Sequence, residues 1–164
     1  MKKILVLSDT HGYLDDKIIN YVNQSDEVWH AGDIGKNEIL DYLSEIKPLK
    51  AVYGNIDDKE IRLRTNEFLC FNCENLNILI IHIAGYPGRY NKYVSGLINK
   101  YNPEILVCGH SHVLKVIYDK KNEHLHLNPG AAGITGFHKI RTMLRLEIDS
   151  DKVKKLEAVE IGVR

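Results

Sequence analysis

The chain has 164 residues, with 22 Lys plus Arg set against 22 Asp plus Glu, for a formal net charge of zero. A chain of this length buries roughly two-thirds of its unfolded surface, so residues 1–164 are expected to form a single domain, and the 44% apolar content excludes a disordered chain. Balanced charge leaves no electrostatic footprint for nucleic acid or an anionic membrane surface, so neither is expected as a partner.

Residues 3–7, KILVL, form a short continuous apolar run of the kind found in buried parallel strands. The preceding Met1-Lys2-Lys3 imitates the basic end of a signal peptide. The run stops at Ser8-Asp9, short of the about 7–15 apolar residues a signal core needs, so a cytoplasmic location is expected. A helix is predicted over residues 15–23, a strand over 27–30 and a helix over 37–46, where Ile39, Leu40, Leu43 and Ile46 keep helical spacing. Pro48 ends that helix, and residues 49–53 read as a third strand. Strand–helix alternation is the signature of right-handed βαβ units and a parallel sheet.

Residues 68–71 and 77–81 read as two strands joined by a polar turn at Glu74-Asn75. Ile78 to Ile81 is far shorter than the ~20 apolar residues a bilayer requires. Cys70-Phe71-Asn72-Cys73 is a C-x-x-C, but it lies in a strand-like segment and has no second pair, so it is expected to be structural. With Cys108 the cysteines number three, an odd count that fits a reducing compartment. After a loop at 84–91 come a helix at 92–101 and a strand at 104–108. Strands at 113–118, 124–127, 141–148 and 152–161 follow without helices. The order is α/β first and then mostly antiparallel β, giving one domain with two packed sheets.

Five of these runs end on potential metal ligands, usually behind a glycine. They are Ser8-Asp9-Thr10-His11, Gly32-Asp33, Gly54-Asn55, His82, and Gly109-His110-Ser111-His112. Ligands of open α/β sheets gather at the carboxyl ends of strands, and a glycine before the ligand permits the sharp turn that points it into the crevice. One histidine at a strand end is usually a hydrogen-bonded structural residue; five such places together point to a shared site.

Asp9, His11, Asp33, Asn55, His82, His110 and His112 are too many for one catalytic zinc with three protein ligands. Shared between two ions with one bridging carboxylate, they give four contacts per ion. Oxygen and imidazole donors without thiolate suit manganese, iron, cobalt, nickel or zinc. Two divalent ions, two carboxylates and a bridging hydroxide sum to +1. Such a site attracts an anion and can clamp an in-line phosphoryl displacement.

The ordered set D-x-H, G-D, G-N, H and G-H-x-H resembles the calcineurin-like metallophosphoesterases, and the compact length with Asn128-Pro129-Gly130 is similar to the small YfcE-like phosphodiesterases. The resemblance implies a four-layer α/β/β/α sandwich with two central mixed sheets. It also implies one metal on Asp9, His11, Asp33 and His112 and a second on Asp33, Asn55, His82 and His110, with Asp33 as the bridge. Manganese is the first candidate for both, and a small phosphate diester is the expected substrate. Many relatives carry a histidine straight after the glycine–asparagine pair, proposed to help the leaving group depart. Here that position is Ile56, followed by Asp57.

Of the remaining histidines, His30 is expected to be structural and His124 with His126 to form a solvated pair on one strand face, while His138 is the one candidate for a general acid. The loop Gly85-Tyr86-Pro87-Gly88-Arg89-Tyr90 offers Arg89 as a phosphate contact, and Asn55 is the second candidate substrate contact. A monoesterase or nuclease on the same site, and a non-catalytic scaffold such as the retromer subunit of this family, are the competing readings. Completeness of the ligand set favours the enzyme. The oligomeric state stays open, a homo-oligomer included.

Overall fold

The structure, a computed structural model, describes residues 1–164. Its elements in chain order are β1 (Lys2–Leu7), α1 (Asp16–Asn23), β2 (Glu27–His30), α2 (Asn37–Ile46), β3 (Leu49–Ala51), α3 (Lys59–Arg64) and β4 (Phe68–Cys73). They continue with β5 (Leu76–Ile81), α4 (Lys92–Tyr101), β6 (Ile105–Val107), β7 (Leu114–Asp119), β8 (His124–Pro129), β9 (Ile140–Asp149) and β10 (Lys152–Val163). One sheet has the order β10-β9-β1-β2-β3 and the other β4-β5-β6-β8-β7.

Both sheets are mixed. β1, β2 and β3 run parallel, and β9 and β10 add antiparallel strands beside β1. In the second sheet β5, β6 and β8 are parallel, with antiparallel β4 and β7 at the edges. The second half is mostly antiparallel as expected, at β7, β9 and β10, with one exception at β8. It pairs antiparallel with β7 but parallel with β6, and alternation along a strand carries no information on the direction of its neighbour.

Period-two alternation sorts the apolar runs into layers. Ile4 and Val6 of β1 face Ile78 and Ile80 of β5 across the gap between the sheets. Leu5 and Leu7 face the other way, onto Ile18 and Val22 of α1, Leu40 and Leu43 of α2, and Ile61 of α3. Leu79 and Ile81 of β5 turn outward onto Val94, Leu97 and Ile98 of α4. The result is an α/β/β/α sandwich, and burial on both faces explains why KILVL and NILII are continuous rather than alternating.

Helix α3 has no counterpart among the elements the sequence predicts. It has six residues and buries only Ile61, too little for a periodic signal. Its marks are local: Asp58 accepts from the Ile61 N–H at 3.0 Å, Glu60 lies in the first turn, and Arg62 and Arg64 lie in the last.

Candidate metal centre

All seven side chains singled out in the sequence converge where β1, β2, β3, β5 and β6 end. Asp9, His11 and His112 form one group, and Asp33, His82 and His110 a second; within each, the potential ligand atoms lie within 4.8 Å of one another. Asn55 joins the second group, its Oδ1 lying 3.1 Å from His82 Nε2 and 2.9 Å from His110 Nδ1. Asp33 lies between the groups, with Oδ1 3.3 Å from His82 Nε2 and Oδ2 3.6 Å from His11 Nε2.

Five of these residues hold the backbone in the left-handed region: Asp9 (φ 53), His11 (φ 46), Asp33 (φ 53), His110 (φ 70) and His112 (φ 59). Each such non-glycine residue costs on the order of 1–3 kcal/mol, and strain of this kind gathers at functional sites. Of the glycines that precede a ligand, Gly32 meets the expectation, turning at φ 100 just before Asp33. At Gly54 and Gly109 the requirement is space. A Cβ on Gly54 would collide with Asp33 Oδ1, and one on Gly109 would collide with Ser8 Oγ and sit 2.8 Å from Asp9 Oδ2.

The polar accounting fits divalent cations. Asp9 Oδ2 accepts from Ser8 Oγ at 2.6 Å and from the His110 N–H at 3.1 Å. Asp9 Oδ1 and His11 Nε2 are buried without any hydrogen-bond partner, which is costly unless a cation meets them. His82 Nδ1 donates to the Ala31 carbonyl at 2.7 Å, which turns Nε2 toward Asp33 and Asn55. Burial alone would lower the His82 pKa, but the Asp33 hydrogen bond and the charges of Asp9 and Asp33 outweigh it and raise it. Asp33 is held low, because His82, the Ile56 N–H and His11 together overcome the cost of burial. A cation among these acceptors meets the same demand as that extra proton.

Residues the sequence did not mark hold the loops in place. Buried Asp57 accepts from the backbone N–H of Ile34 at 3.1 Å, Gly35 at 2.8 Å and Gly54 at 2.8 Å, and so clips the Asp33 turn to the Asn55 turn. Asn128 donates to the Gly109 carbonyl at 2.9 Å and to Ser111 Oγ at 3.1 Å, which fixes the turn carrying His110 and His112. The only signal for either was its place beside a motif: Asp57 after Gly-Asn-Ile, Asn128 before Pro-Gly.

The other histidines divide. His30 is fully buried, accepts from the Gly32 N–H at Nδ1 (3.1 Å) and pairs with Thr10 Oγ1 at Nε2 (2.9 Å). His124 and His126 share one face of β8, but they are not solvated: both are buried, and both bond the Tyr90 hydroxyl, at 2.9 and 2.8 Å. Tyr90 folds down from the 84–91 loop and covers them, a tertiary contact that strand alternation cannot reveal. His138 lies beside the site with both nitrogens engaged, Nδ1 3.2 Å from His112 Nδ1 and Nε2 2.8 Å from the Gly133 carbonyl. Cys70 and Cys73 are unpaired and pack on opposite faces of β4.

Two cavities flank the site. One, of about 490 Å³, is lined by Tyr53, Asn55, Arg62, Glu67, His82 and Tyr93 among others. The other, of about 320 Å³, is lined by Tyr86, His110, Ser111, Val113, Lys115 and Asn128 among others, and Ile83 borders both. Arg89 is exposed and lines neither, its guanidinium 5.9 Å from the Tyr86 ring centroid, whereas the Lys115 ammonium approaches that ring at 4.3 Å. No helix is long and apolar enough to cross a membrane.

Comparison with known proteins gives the same direction. The family model of the calcineurin-like phosphoesterase superfamily domain matches residues 1–151. A probable metallophosphoesterase of Methanocaldococcus jannaschii is 28% identical over 161 residues, covering 94% of this chain and 80% of that protein. A Vps29 variant from Entamoeba histolytica is similar in fold, with a TM-score of 0.75 at 20% identity, covering 96% of this chain and 98% of the other. A structure described as a novel archaeal phosphodiesterase superposes with a TM-score of 0.71 at 21% identity, covering 96% and 99%.

Proposed function

Because the chain belongs to the calcineurin-like phosphoesterase superfamily, we propose that it is a metal-dependent phosphodiesterase acting on small phosphate diesters through two divalent transition-metal ions, manganese first among the candidates. The observation that carries this reading is the pair of ligand groups with the Asp33 carboxylate between them. Asp9, His11, Asp33 and His112 would hold one ion, and Asp33, Asn55, His82 and His110 the other. When bound, the ions would supply Lewis acidity at the phosphate oxygens and water acidic enough to attack at neutral pH.

The chain's own residues set the rest. Ser8 and the His110 N–H hold one Asp9 oxygen so that the other points into the site. His82 is aimed by the Ala31 carbonyl. Arg62 stacks on Tyr53 at 4.6 Å and donates to the Asp57 carbonyl at 2.7 Å, which stiffens the turn that presents Asn55. Two cavities beside one phosphate position provide room for two ester arms, which favours a diester over a monoester. Asn55 and Arg89 are the proposed substrate contacts; Asn55 lines the larger cavity, and Arg89 stands on the loop whose Tyr86 lines the smaller.

The core shared by both sheets supports a single domain over residues 1–164, and three unpaired cysteines support a reducing compartment such as the cytoplasm. A second reading, a protein-binding scaffold, draws support from exposed Val116, Ile117 and Tyr118 on the edge strand β7. The test is hydrolysis of bis(4-nitrophenyl) phosphate, 4-nitrophenyl phosphate and a short DNA duplex by metal-stripped protein resupplied with Mn²⁺. The diester is expected to be turned over fastest. A faster monoester or DNA reaction would shift the substrate class, and absence of all three would favour the scaffold.

A further inference from the structure

An imidazole can bind an ion only through a nitrogen that lacks a proton, and its other nitrogen's partner decides which one that is. At His82 the partner is the Ala31 carbonyl, 2.7 Å from Nδ1. His112 has no carbonyl at its Nδ1; it has the Nδ1 of a second histidine, His138, at 3.2 Å. His138 Nε2 lies 2.8 Å from the Gly133 carbonyl, which can only accept. In a neutral His138 the proton therefore sits on Nε2, and Nδ1 offers a lone pair. His112 Nδ1 must then be the donor, and His112 Nε2 is left bare, 3.1 Å from Asp9 Oδ1.

We infer that His138 is a positioning residue that fixes His112 in its Nδ1–H tautomer and presents His112 Nε2 to the Asp9 side of the site. The inference rests on reading Asp9, His11, Asp33 and His112 as an ion site. The geometry is built for the pair. The two rings meet edge to face, with centroids 5.0 Å apart and planes 76° apart. Gly136, at φ +132, leaves the room they need: a Cβ there would collide with the His112 ring and lie 3.2 Å from His138 Nδ1. The chain also closes on itself, because the Gly133 N–H donates to the Asp9 carbonyl at 3.1 Å. The carbonyl that orders His138 is thus anchored to the residue that His112 faces.

The test uses the full chain and the variants His138→Ala and His138→Asn. Asn can accept a hydrogen bond near the position of the lost Nδ1; Ala cannot. Long-range ¹H–¹⁵N spectra of the metal-free protein report the His112 tautomer, and calorimetric titration with Zn²⁺ reports the two affinities. The wild type is expected to show His112 protonated at Nδ1. His138→Ala should mix the tautomers and weaken one of the two ions by about 10–100-fold, the usual effect of losing such an outer partner, while the other ion binds as before. His138→Asn should recover most of both signals. A His138→Ala protein with the Nδ1–H tautomer intact and both affinities unchanged would overturn the inference. A wild type that shows the tautomer but binds no Zn²⁺ would overturn the ion site instead.

Discussion

Asp33 has backbone and side chain both set for sharing. Its backbone is in the left-handed region, and its two oxygens face different histidines, His82 and His11. Asp33→Asn removes a charge whose two oxygens each face a different ligand group. It should lower metal occupancy at both positions and reduce turnover more than His112→Ala, which touches one. For His112→Ala a loss of at least 10-fold is expected. Turnover and metal content measured on the same preparations check this, and an Asp33→Asn protein with two ions and unchanged turnover would refute the shared role.

Ile56 gives a second prediction at this scale. Its N–H donates to Asp33 Oδ1 at 3.1 Å, while its side chain is 47% exposed and has no proton to give. A general acid contributes about 10²–10⁴-fold, so without one the rate should fall steeply as the leaving group becomes more basic. A series of substituted aryl diesters at saturating metal measures that slope. Ile56→His should flatten it; a flat slope in the wild type, with chemistry rate-limiting, would reveal an acid elsewhere. The seven candidate ligands were legible because oxygen and imidazole donors stand directly at strand ends. The left-handed backbone of five of them was not, since aspartate and histidine do not announce positive φ as glycine does.

Strand β8 shows what periodicity hides. Alternation put His124 and His126 on one face, and Tyr90 then closed that face against water. Burial, with the neighbouring His124 and Lys115 charges, lowers the His126 pKa from the ordinary 6.5 to about 4. The unfolded chain therefore takes up the proton first as pH falls. The contribution is complete above pH 6.5 and is lost as pH drops toward 4, amounting to about 3 kcal/mol. Thermal midpoints between pH 7 and 4.5 should fall, and His126→Gln should fall less over the same window. Equal slopes would contradict the buried neutral state. Tyr90→Phe should cost about 1–3 kcal/mol at neutral pH, because it strands two buried imidazoles. Short α3 leaves no pattern in the sequence for the opposite reason, since one buried residue, Ile61, makes no period at all.

Across the whole molecule, the site is where the two sheets are tied. The His110 N–H of the second sheet's β6 turn donates to Asp9 after β1 at 3.1 Å, and His82 after β5 donates to Ala31 after β2 at 2.7 Å. The alternation of strands and helices was enough to read two sheets and a shared crevice, whereas strand direction at β8 depended on neighbours far along the chain. Ions bound across that seam should raise the thermal midpoint, by the mass-action rule that a ligand of the folded state stabilises it. The most direct measurement is a titration of metal-stripped protein with Mn²⁺, following bis(4-nitrophenyl) phosphate turnover and bound metal together. Turnover should stay near background at low occupancy and reach its plateau as the second equivalent binds. Full turnover without metal, or a plateau at one equivalent, would contradict a two-ion site bridged by Asp33.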